Sequence, residues 1–186
     1  MRHIARSRHS GGAPALLAGV ATALLLFAAP QAGAQRPVAL GVGGGVTLPR
    51  DRLESAAERG YHGLVTLRLG APLFPVHLRL DALHGQLAGT PGTAENFQIS
   101  AATASLGYDV VPLAVASVYV VGGAGYYWTR WNGADAARIR DTGWNAGAGI
   151  RISLGSVQLF GEARYHSIRT DGGDVHVVPL TVGFIF

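Results

Sequence analysis

The sequence predicts an all-β protein: an eight-stranded antiparallel up-and-down transmembrane β-barrel that follows a cleaved N-terminal leader. Three observations predict it. Apolar residues recur at every second position in eight separate segments of about ten residues, the period of a strand with unlike faces. The seven connections between segments alternate long and short, as expected when one end of a barrel carries tight turns and the other carries loops. The last segment, Val177 to Phe186, sets Leu180, Val182, Phe184 and Phe186 against Pro179, Thr181, Gly183 and Ile185, with no charge on either face. In water such an edge invites aggregation, whereas a barrel closed in lipid has no edge.

Residues 1–34 read as a secretory signal peptide. Arg2, Arg6 and Arg8 precede an apolar run from Ala13 to Ala29, and Pro30 then leads to Ala32-Gly33-Ala34, a small-residue cleavage site. The mature domain is therefore expected to span 35–186. The competing reading is a retained membrane helix, because the run approaches the length that spans a bilayer. After the leader no stretch of 18 or more residues is continuously apolar, so any later span must be β.

Composition narrows the function classes. The chain contains no cysteine, which excludes a lipid-anchored cysteine at the cleavage site, disulfides and thiolate metal sites. All 15 basic residues are Arg, and with three of them in the leader the remainder sets 12 against 11 acidic residues. A nearly neutral domain without a basic cluster is not a nucleic-acid-binding one.

The segments follow in order. Val38, Leu40, Val42, Val46 and Leu48 alternate with Ala39, Gly41, Gly43, Gly45 and Thr47, and a charged loop with one helical turn follows from Pro49 to Gly60. Tyr61, Val65, Leu67 and Leu69 then oppose His62, Thr66 and Arg68, and Ala71 to Pro75 is a tight connection. Val76, Leu78, Leu80 and Ala82 oppose His77, Arg79, Asp81 and Leu83 before a loop at Leu87 to Glu95. In the fourth segment, Phe97 to Tyr108, Phe97 and Ile99 are out of phase with Leu106 and Tyr108, which predicts a bulge near Ala101 to Ala104.

Pro112 closes the next turn, and Val115 to about Arg130 is a long fifth strand leading to a loop at Trp131 to Asp141. Trp144, Ala146, Ala148, Ile150 and Ile152 alternate with Asn145, Gly147, Gly149 and Arg151, and Leu154-Gly155-Ser156 is a tight turn. Val157 to Tyr165 is the seventh strand, and Ser167 to Asp174 is the last loop. Aromatic residues gather at the two predicted interfaces. Tyr61, Phe97, Tyr126 to Trp128, Trp131, Trp144 and Tyr165 lie at the loop ends, and Phe74, Tyr108, Tyr119, Phe184 and Phe186 at the turn ends.

On the segments "PLAVASVYVVGGAGYYW", "WNAGAGIRI", "LFGEARYH" and "VPLTVGFIF", the mature chain resembles the small OmpA-like outer-membrane β-barrel family. The resemblance implies export to the outer membrane of a diderm bacterium, contact with outer-membrane lipid and a structural or surface-interaction role. It also implies that Phe186, with Phe184, Val182 and Leu180, forms the signal read by the outer-membrane assembly machinery. A monomer without cofactor is expected. Relatives often append a peptidoglycan-binding module, and with none after Phe186 such anchoring is not expected.

The polar residues of the non-lipid face are the candidate site. Strands three and seven lie opposite each other in an eight-stranded barrel, and counting from their preceding turns puts Arg79 level with Glu162 and Asp81 level with Arg164. A four-residue ion network in the lumen is predicted, with Arg68 and Arg151 nearer the periplasmic mouth. Paired charges are tolerated inside where single ones are costly. The network either fills the interior or gates a narrow channel, and the alternatives to a structural role are such a channel and a secreted soluble ligand-binding barrel.

Catalysis is not expected. His166, Ser167 and Glu162 suggest a Ser/His/acid set, yet neighbours on a strand face opposite ways, and Glu162 should lie about 13 Å from His166 along it. His62, His77, His84 and His176 are too dispersed for metal ligation. The glycine run 41–45 lacks the following helix and Gly-Lys-Ser/Thr of a phosphate loop, and serves strand curvature instead.

Overall fold

A computed structural model of the chain describes residues 37–55, 57–70, 74–89, 96–112, 115–131 and 139–186. The leader, with Ala32 and Ala34 at its expected cleavage site, lies outside the described residues. Among them the chain forms eight strands: β1 (Val38–Arg50), β2 (Ala57–Gly70), β3 (Val76–Gly89), β4 (Phe97–Pro112), β5 (Ala116–Trp131), β6 (Ile139–Leu154), β7 (Val157–Arg169) and β8 (Val175–Ile185). Each pairs antiparallel with its sequence neighbours, and β1 closes on β8 to complete a barrel. That seam runs from Gly41 opposite Ile185 to Arg50 opposite His176. Reciprocal backbone bonds between Leu40 and Phe186, at 3.0 and 2.8 Å, extend it to the final residue.

Period-two alternation sorts the side chains between lipid and lumen. Val42, Val65, Leu78, Leu80, Leu106, Val120, Ile150, Leu180, Val182 and Phe184 are exposed on the outer wall. A belt of this extent is untenable in water, and hydrocarbon is the solvent that matches it. On β8 the same rule buries Val177, Pro179, Thr181, Gly183 and Ile185 inside. The closed ladder satisfies the backbone groups that lipid cannot.

The strands run from 11 to 16 residues, longer than ten, so pairing continues past the bilayer and the loops contract. Strand structure reaches Arg50, resumes at Ala57, reaches Gly89, and extends from Ile139 and to Arg169. Within the first loop Asp51–Leu53 forms one 3-10 turn, entered through Asp51 at φ 53°. Arg52 Nη1 donates to the Gly172 carbonyl at 3.0 Å, tying this loop to the last one, and Leu53 is buried at the barrel mouth.

The expected bulge near Ala101 to Ala104 does not form. β4 pairs with β3 in unbroken register from Phe97 opposite Leu87 to Tyr108 opposite Val76, and its irregularity against β5 comes at Asp109 and Val111 instead. The phase change has a different cause: Phe97 and Ile99 face inward. They join Leu53, Ala57, Leu87, Ala101, Tyr127, Ile168 and Val177 in an apolar cluster filling the loop end of the lumen. Apolar residues thus mark the outer wall in one half of β4 and the interior in the other. The same correction removes Phe97, Tyr119 and Tyr127 from the aromatic girdles, since all three are buried inside.

Candidate functional site in the barrel lumen

The lumen has three levels. In its middle, β3 and β7 face each other and carry the four charges of a closed ring. Arg79 Nη1 donates to Glu162 Oε2 at 2.5 Å and Arg79 Nη2 to Asp81 Oδ1 at 3.1 Å. Arg164 Nη1 donates to Asp81 Oδ2 at 2.8 Å, and Arg164 Nη2 lies 2.7 Å from Glu162 Oε1. Each cation therefore meets both anions. The four side chains are 3–5% exposed, so water screens them little and the low local dielectric strengthens every attraction. The geometry follows from strand parity, because residues 79 and 81, like 162 and 164, share one face.

Towards the short-turn end lies a second cluster that sequence reading only half identifies. Arg68 and Arg151 both pair with Asp109: Arg68 Nη2 is 3.5 Å from Oδ2, and Arg151 Nη2 donates to Oδ1. Arg151 Nε also reaches Ser117 Oγ at 3.2 Å, and its guanidinium carbon lies 4.8 Å from the centre of the Tyr119 ring. Tyr119 links the levels, since its hydroxyl donates to Glu162 Oε2 at 2.8 Å. The large ring fits because Gly149 faces it; a Cβ there would come within 2.5 Å of Tyr119. Asp109 shares parity with Thr103 and Ser105, and Tyr119 with Ser117, so alternation followed one residue beyond Tyr108 on β4, and along β5, would have found both.

Towards the loops, His62 bridges Thr47 Oγ1 at 2.9 Å and Thr181 Oγ1 at 2.8 Å, and His166 Nδ1 shares a hydrogen bond with the Tyr127 hydroxyl at 2.8 Å. Above them sits the apolar cluster. Between ring and cluster is a cavity of about 10 Å³ lined by Asp81, Glu162, Arg164, His166, Leu64 and Leu83 among others, space for a single water at most. No organic ligand fits in that space.

The Ser/His/acid set does not assemble. His166 is engaged by Tyr127, Glu162 by Arg79, Arg164 and Tyr119, and alternation turns Ser167 to the opposite face of β7. The other histidines are scattered. His84 bonds Ser100 at 2.9 Å on the outer wall, His176 stacks on Tyr165, and His77 is buried at the short-turn end. Among the described residues no three His, Asp or Glu converge to hold a metal ion. Phe186, Phe184, Val182 and Leu180 lie on or beside the β8 seam, with the last three exposed on the lipid face.

Comparison with known proteins gives one consistent architecture. Residues 19–186 match the model of a family described as the outer membrane protein beta-barrel domain. Neisserial surface protein A matches with a TM-score of 0.68 at 15% identity, covering 82% of this chain and 97% of that one. The attachment invasion locus protein Ail of Yersinia pestis matches at 0.55 and 14% identity, covering 80% and 97%. A major outer membrane protein of Thermus thermophilus matches at 0.51 and 13% identity, covering 81% and 99%. No curated protein matches by sequence.

Proposed function

The chain belongs to the outer membrane protein β-barrel domain family, and from that premise we propose that it works as a monomeric, non-catalytic barrel whose activity lies on its outer wall and loops. The observation that supports this most is the filled lumen. Among the described residues the charge ring, Tyr119, Phe160 and the apolar cluster pack the middle and loop end of the lumen, and the cavity between ring and cluster is about 10 Å³. What contacts the surroundings is therefore the apolar belt, which meets outer-membrane lipid, and the loops, which meet the exterior. In planar bilayers the refolded protein is expected to give no stepwise conductance, and Glu162→Gln is expected to give none either. Discrete steps in the wild type that change with Glu162→Gln would replace this reading with a gated channel. A mature protein that extracted in buffer as a folded monomer would replace it with a soluble barrel.

Biogenesis supplies the second partner class. The end of β8 completes closure through its two backbone bonds to Leu40, and main-chain bonds survive a change of side chain. Phe186→Ala is therefore expected to lower the amount of assembled barrel in cells more than the yield of refolding in detergent, each scored by the gel shift between boiled and unboiled samples. Equal losses would reduce Phe186 to a packing residue and remove the assembly machinery as its reader.

A further inference from the structure

We propose that the short-turn end of the lumen is a binding site for a small oxyanion of the phosphate class, held by Arg68, Arg151 and His77. Charge is the first ground. The central ring balances two guanidiniums against two carboxylates, whereas in the lower cluster, among the described residues, Arg68 and Arg151 share only Asp109. The excess of one positive charge therefore sits at this end. Asp109 is committed mainly to Arg151, and its contact to Arg68 at 3.5 Å is long for a charge-assisted bond.

Unused donors are the second ground. Arg68 Nε and both ring nitrogens of His77 are buried without a hydrogen-bond partner among the described residues, although His77 is only 2% exposed. Buried polar groups are ordinarily satisfied, so the unpaired Arg68 Nε–H and the single N–H of the His77 ring, left over beside surplus positive charge, describe the complement of an anion. His77 is also firmly held. The edge of the Tyr119 ring packs against it at 6.5 Å between centres, and Gly107 leaves it room, since a Cβ there would lie 2.2 Å from Nε2.

Access is the third ground. The Arg68 and Asp109 side chains are 23% and 14% exposed, against 3–4% for Arg79 and Glu162 of the central ring. An anion arriving from the aqueous side at this end meets Arg68 first. It gains the planar donor fork that suits an oxyanion and stops at the sealed ring above.

The test uses the mature barrel refolded in an uncharged sugar detergent, titrated with inorganic phosphate at constant ionic strength and followed through the arginine Nε–H resonances and by calorimetry. Saturable binding that shifts the Arg68 resonance is expected. Arg68→Gln should weaken it, and Asp109→Asn, which frees both guanidiniums, should tighten it, each by about tenfold, the worth of one charge-assisted hydrogen bond. Arg50→Gln, at the opposite end, should leave it unchanged. Each variant is first shown folded by its gel shift, and the opposite signs keep the test decisive if one fails to fold. A second titration in phosphatidylglycerol nanodiscs identifies the source: phosphate displaced by lipid would make a headgroup the natural occupant, and undiminished binding a free anion. No saturable binding in the wild type or in Asp109→Asn, or binding indifferent to both substitutions, overturns the proposal.

Discussion

Glu162→Ala is expected to destabilise the folded barrel by about 3–5 kcal/mol, the cost of breaking a buried ion pair by removing one partner. Glu162 accepts from Arg79 and Tyr119 and lies against Arg164, so its loss leaves Asp81 alone facing two guanidiniums. None of the ring side chains can turn to water, because all are 3–5% exposed. The measurement is equilibrium urea unfolding in lipid vesicles, followed by tryptophan fluorescence. The double replacement Arg79→Met with Glu162→Leu should recover most of the loss, since Arg164 and Asp81 remain paired and two apolar side chains take the vacated volume. If the double variant were as unstable as Glu162→Ala, packing around the ring, and not charge pairing, would be the stabilising element.

Leu106→Arg is expected to cost about 2–4 kcal/mol in the same assay, the penalty for a cation on the lipid face near the bilayer midplane. Leu106 is 61% exposed and sits mid-strand in a row with Leu69, Leu78 and Gly122 on the outer wall. A guanidinium there has no aqueous neighbour within easy reach. Tyr61→Arg provides the contrast, because Tyr61 is 79% exposed at the loop-end interface, where the same change costs about 0–1 kcal/mol. In detergent micelles, which deform around a charge, the difference between the two should shrink. Equal costs in vesicles would mean that the outer wall is not immersed in hydrocarbon.

Much of this structure is legible in the sequence because a strand has an exact side-chain period. Parity alone places Arg79, Asp81, Glu162 and Arg164 on the inner face, and the strand count sets β3 against β7, so their level is a matter of counting residues from the turns. The same period misleads at Phe97. It sorts residues into two faces without saying which is inside, and the usual assignment of apolar to lipid fails where the lumen itself is dry. For that reason Tyr119, a large aromatic near a turn, reads as a girdle residue although it is buried. Asp109 escapes the pattern because the fourth segment, read from its apolar alternation, stops at Tyr108, one residue short of it. Loops read from the sequence begin or end in the wrong place, as at Gly60 and Ser167, because hydrogen bonding outlasts the apolar pattern once strands leave the bilayer.

The division of the lumen into a charged centre and an apolar loop end constrains how such a sequence drifts between generations. Residues of the apolar end, such as Ile99, Leu87 and Ile168, tolerate exchange one at a time while volume is kept. Arg79, Asp81, Glu162 and Arg164 have no such freedom, since a single change strands a charge among the other three. Their neutral paths run through simultaneous or compensated replacement, and so are rarely taken. The apolar end is therefore expected to vary faster than the centre, and a lineage that lost members of the ring is expected to have lost them as compensated pairs, such as Arg79 with Glu162.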